Sequence, residues 1–154
     1  MEAGWLKPLG VGYQMSQSPM HGEAVIKGSK GQIEFAIKEG VWQIKLNSLG
    51  IEADLSLLAA PLSLPMAMCN PTSYNGWTYT QKHNALQVKG SLVINHEPQP
   101  LQRVTAGYDF SAGYMRRETS WRWASINSLT ETGSLGLNLA AGVNETGCNE
   151  NVFW

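Results

Sequence analysis

Three carboxyl groups stand out as candidates for chemistry: Asp109 in GYDFSAGY, Glu145, and Glu150, which lies beside Asn151 in CNENVFW. A pair of carboxyls can divide the work of general acid and general base, provided the fold brings them together. Spacing alone does not show that convergence, and a structural role for each is the commoner outcome. The second constellation is ETSWRWAS, residues 118–125, where Arg122 stands between Trp121 and Trp123 with Glu118 upstream. A cation beside aromatic faces can form a binding box. The same two tryptophans can equally be filling for a sheet interface. His21, His83 and His96 have neither HxH nor HExxH spacing, and no serine sits in a GxSxG elbow. A metal site and a serine hydrolase are therefore not expected. GVGYQ lacks the strand, turn and long helix of a dinucleotide site, so no cofactor is expected either.

The elements that must position these residues read as strands. Gly, Asn and Pro punctuate the chain at intervals of about ten residues, and the segments between them alternate with period two. In GQIEFAIKEGVWQIKLNSLGIEADLSLLA, Ile33, Phe35 and Ile37 share a face, Glu39-Gly40 makes a tight turn, and Val41 to Leu46 returns. Ile51 to Leu58 reads as a third strand, running into an apolar, proline-broken loop that ends near Met68. After the turn cluster CNPTSYNG come WTYTQK, ALQVKGSLVIN, QRVTAGYDF, ETSWRWAS and GSLGLNLAAGV, each of strand length. The expected fold is all-β, an antiparallel meander forming a barrel or a curved sandwich.

Parity along these strands sorts the candidates. Trp121 and Trp123 share one face of their strand and Arg122 takes the other. In the following strand Leu135, Leu137 and Leu139 share a face, with Gly136, Asn138 and Ala140 opposite. Pairing through a loop at 126–133 would set the tryptophans against the leucines and Arg122 near Gly136 and Asn138. Arg122 with Asn138 then becomes a candidate ligand site in a groove of small residues.

The composition narrows the partners. Charged residues make up 15% of the 154, and eleven Lys plus Arg nearly balance twelve Asp plus Glu, so no field favours nucleic acid. Cys69 and Cys148 form no CxxC pair and are expected to be buried thiols. The most apolar run, Leu55 to Met68, is too short to span a bilayer and is broken by Pro61 and Pro65. MEAGWLKPLGVGYQ lacks the basic and apolar regions of a secretory signal, so a cytoplasmic location is expected. The close on Val152-Phe153-Trp154 suggests a fragment, whose apolar edge would favour self-association.

The succession YTQKHNALQVKGSLVI, AGYDFSAGYMRRETSWRWAS, GSLGLNLAAGVNETGCNENVFW resembles the DUF2804 family of bacterial proteins of unknown function. The matching positions are Thr80, Gln81 and Lys82; Asp109, Gly113 and Arg116 or Arg117; Trp121 and Trp123; Gly136, Asn138 and Leu139; and Glu150 and Asn151. The likeness is strongest from Pro65 to Trp154. It implies kinship with lipocalin-like proteins of paired β-barrels that include carotenoid hydratases, tocopherol cyclases and the AttH proteins. By that resemblance the chain is a single lipocalin-like domain or an internal piece spanning parts of two barrels.

Three functions follow as expectations. The preferred one is binding of an apolar or amphipathic small molecule, a lipid or isoprenoid, with Trp121, Arg122, Trp123, Asn138, Asn151 and Lys82 as ligand-binding candidates. The second is a cofactor-free, acid-catalysed hydratase or cyclase using Asp109 or Glu150. The third is a structural or partner-binding β domain.

Overall fold

The computed structural model describes residues 18–28, 30–72, 75–114, 120–143 and 148–154. Among them every regular element is a strand: β1 (His21–Gly28), β2 (Gly31–Lys38), β3 (Val41–Ser48), β4 (Ile51–Leu58), β5 (Met66–Thr72), β6 (Gly76–Ile94), β7 (Glu97–Pro98), β8 (Thr105–Gly113), β9 (Arg122–Thr130), β10 (Gly133–Val143), β11 (Cys148–Asn149) and β12 (Val152–Phe153). The pairings are antiparallel, as the alternation predicts. Neither of the two sheets closes on itself among these residues, so the barrel alternative is not seen. No helix of the described residues is long and apolar enough to cross a membrane.

The chain divides into two compact units, Met1–Leu58 with Val88–Gln102, and Ala59–Gln87 with Arg103–Trp154. In the first, β1 to β4 form a meander whose turns Glu39–Gly40 and Leu49–Gly50 place both central residues at positive φ, 50° and 78°, then 53° and 80°. That backbone matches the right-handed twist of the flanking strands. One face of the meander carries the rung Ile37, Trp42 and Leu57, all buried. The opposite face carries Glu34, Lys45 and Asp54 in register, with Lys45 Nζ 3.7 Å from Asp54 Oδ2. The expected hairpin and third strand are both present.

In the second unit β5 and β8 flank the first part of β6, and β10 lies between β9 on one side and β11 and β12 on the other. Pro71 is tolerated in β5 because that strand is an edge, where a missing N–H breaks no ladder. This corrects the reading of 66–72 as loop and turn. Cys69, on the same strand, is an exposed thiol rather than a buried one. The two strands expected around WTYTQK and ALQVKGSLVIN are one strand of 19 residues. It is interrupted only by a bulge at Ala85, whose φ is 59° and across which the register with β8 shifts. Asn127 accepts the Ala85 N–H through Oδ1 at 2.7 Å, which holds the bulge in place.

Candidate functional site

β6 differs from the meander strands in being buried on both faces along Thr80 to Leu86. Thr78, Thr80, Gln81, Lys82, His83, Asn84, Ala85 and Leu86 are all less than a tenth exposed. Lys82 stands directly across the ladder from Asp109 of β8. Its Nζ lies 2.9 Å from Asp109 Oδ2 and 3.1 Å from Glu150 Oε2. The three side chains are 7%, 38% and 1% exposed in the order Lys82, Asp109, Glu150, so the cluster is open only at Asp109. Lys82 Nζ also lies 5.3 Å from the centre of the Trp123 ring, a cation–π distance.

Glu150, between β11 and β12, owes its position to β10. Its N–H donates to Ala140 O at 2.9 Å, and its carbonyl accepts from Asn138 Nδ2 at 2.6 Å. Asn138 Oδ1 accepts the Trp123 indole N–H at 2.8 Å, so a single buried amide fixes the carboxylate's backbone and the aromatic wall together. The neighbouring Asn151 Oδ1 accepts the Ala140 N–H at 3.2 Å. Beyond these groups lies a recess of about 80 Å³ lined by Lys82, Asn84, Gly107, Tyr108, Asp109, Trp123, Ser125, Asn127 and Asn138. Asn84 closes its floor, donating to Ser125 Oγ at 2.9 Å and to Leu137 O at 2.8 Å. Gly136 is required there, since a Cβ on it would stand 2.7 Å from Asn84 Cβ.

The other face of β6 carries a separate polar cluster. His83 Nε2 is 2.8 Å from Ser63 Oγ, and its ring lies 5.8 Å from that of Trp154 and 6.1 Å from that of Tyr108. Burial disfavours the imidazolium and lowers the His83 pKa below 6.5. Gln81 Nε2 donates to Tyr108 Oη at 2.6 Å on this face. No group of three or more His, Cys, Asp or Glu side chains that could hold a metal ion is found among the described residues.

Of the residues singled out by sequence, Lys82, Asp109, Trp123, Asn138, Glu150 and Asn151 come together here. Arg122 and Trp121 do not. Strands β9 and β10 are joined by the two-residue turn Glu131–Thr132 rather than a loop at 126–133. The resulting register pairs Trp123 with Ala140, Ser125 with Asn138 and Arg122 with Ala141. The expected parity is thus reversed: Trp123 shares the small-residue face with Asn138, and Arg122 shares the leucine face and is exposed. Nor are the tryptophans core filling, since Trp121 is 49% and Trp123 53% exposed. Arg116, Arg117, Glu118 and Glu145 lie outside the described residues. Asn84, Tyr108, Ser125 and Asn127 were not anticipated. The available signal was Gln81-Lys82-His83-Asn84, four polar residues in succession inside a strand-length run, which neither a half-buried nor a wholly apolar strand would carry.

The fold and site define an all-β antiparallel protein with a lysine buried between two carboxylates beside an open aromatic wall. Over residues 1–154 the chain matches the family described as a domain of unknown function, DUF2804, and it belongs to that family. No match is found among curated proteins or among solved structures.

Proposed function

We propose that the protein binds a small amphipathic molecule, with the ligand's polar group at the Lys82 recess and its apolar part along the exposed ring of Trp123. The observation that carries this reading is the buried Lys82, held by two carboxylates at the foot of a half-exposed tryptophan. Burying such a triad costs desolvation that an apolar core would avoid, so stability alone is a poor reason for it. Indole rings left half in water beside a polar recess have the form of a ligand site, apolar walls with a few fixed polar anchors. A lipid or isoprenoid is the class that the family resemblance suggests for the apolar part.

The hydratase or cyclase reading draws support from Glu150, a carboxyl of the required burial. It is weakened because Asp109 and Glu150 both accept from the Lys82 ammonium, which suits them as acceptors rather than as proton donors. Native mass spectrometry of the full chain tests the binding reading. The expected result is a non-covalently bound small molecule that the Trp123→Ala variant, which removes the half-exposed ring, loses. A bare protein, with no saturable change in tryptophan fluorescence when amphiphiles are added, would refute it.

A further inference from the structure

The cluster at the recess is out of charge balance. Lys82 brings one positive charge and Asp109 and Glu150 one negative charge each, a sum of minus one. Glu150 spends Oε2 on Lys82, while its Oε1 is buried with no hydrogen-bond partner. The surplus is accessible on one side only, through Asp109, whose side chain is 38% exposed where that of Lys82 is 7% exposed. Trp123 stands at the same recess with its ring half in water. Its contact with Lys82 at 5.3 Å shows that this indole already receives a cation.

A carboxylate and an indole face are groups that receive ammonium. An anionic head would meet the like charge of Asp109 at the open side of the recess and find its cationic partner, Lys82, already doubly engaged. The recess of about 80 Å³ admits a head group and no long tail. We infer that the polar group bound here is an ammonium, carried on an apolar tail that lies against Trp123. This rests on the binding reading above and assigns the ligand class within it.

Isothermal titration with three amphiphiles that share one decyl chain tests the inference: decylammonium, decanol and decanoate, each kept below its micelle threshold. Decylammonium is expected to bind about tenfold more tightly than decanol, with decanoate weakest. Asp109→Asn should bring decylammonium and decanol close to parity, and Asp109→Glu, which keeps the charge, should retain the preference. That second variant separates loss of charge from loss of fold. Decanoate binding as tightly as decylammonium, or a preference unchanged in Asp109→Asn, overturns the inference while leaving the binding reading standing. Failure of all three amphiphiles to bind defeats the binding reading and the inference with it.

Discussion

Replacing Lys82 by methionine removes the ammonium shared by Asp109 and Glu150 and keeps an unbranched apolar stem beside Trp123. The two carboxylates then fare differently. Asp109, with a 38% exposed side chain, recovers much of its hydration; Glu150, at 1%, recovers almost none. Removing one partner of a fully buried pair costs about 3–5 kcal/mol, and with the Asp109 half screened by water the expected loss is about 3 kcal/mol. For a chain of 154 residues this corresponds to a fall in Tm of roughly 6–12 °C. Urea unfolding followed by tryptophan fluorescence reads the loss directly. Glu150→Gln removes the stranded charge, so the double variant should be more stable than Lys82→Met alone. The cycle should give a coupling of about 1.5 kcal/mol or more. If Lys82→Met costs less than about 0.5 kcal/mol, or if the two changes simply add, the cluster is not the tight buried triad described here.

Three further outcomes are expected. Gly136→Ala puts a methyl 2.7 Å from Asn84 Cβ and 2.9 Å from the Ala85 nitrogen, and the overpacking should cost about 1–3 kcal/mol in urea unfolding. Leu62 is 99% exposed with φ at 66°, a conformation that asparagine accepts more easily. Leu62→Asn should therefore raise stability by about 0.5–1 kcal/mol in a thermal melt, and a loss would contradict the turn geometry. His83 has its pKa lowered by burial, so the unfolded chain binds its proton more readily than the fold does. Its contribution is fully present above pH 6.5 and is lost as the pH falls from there through the folded value, with a slope of at most about 1.4 kcal/mol per pH unit. His83→Gln should flatten that part of the profile.

What could be read from sequence depended on whether a strand has one dry face. β3 and β4 alternate between covered and exposed positions, and in β2 the residue types Ile33, Phe35 and Ile37 alternate with polar ones, so the meander declares itself and Glu39-Gly40 marks the turn. β6 is covered on both sides from Thr80 to Leu86, which removes the alternation there and makes its bulge read as a break between two strands. Parity within β9 and β10 was legible, but parity between them was not. Period two sorts each strand correctly, and one residue of error in the turn exchanges the face that meets the partner. That error set Arg122 beside Asn138 where the fold sets Ser125, with Trp123 one rung along. Asp109 and Glu150 were visible as residues but not as neighbours, because Lys82, which joins them, comes from β6, distant from both in sequence. Asn84 was missed for a related reason: an asparagine in a strand reads as a turn unless the glycines that make room for it, Gly107 and Gly136, are known to face it.

The central claim, that the Lys82 recess receives a ligand's polar group, is tested most directly by nitrogen–proton NMR during titration with decylammonium. The resonances to follow are the Trp123 indole N–H and the Asn138 side-chain amide, which hydrogen-bond each other at 2.8 Å at the wall of the recess. Both are predicted to shift together and saturably, while the His83 ring on the opposite face of β6 responds little. Saturable shifts confined to other parts of the chain, with Trp123 and Asn138 unmoved, would contradict the account.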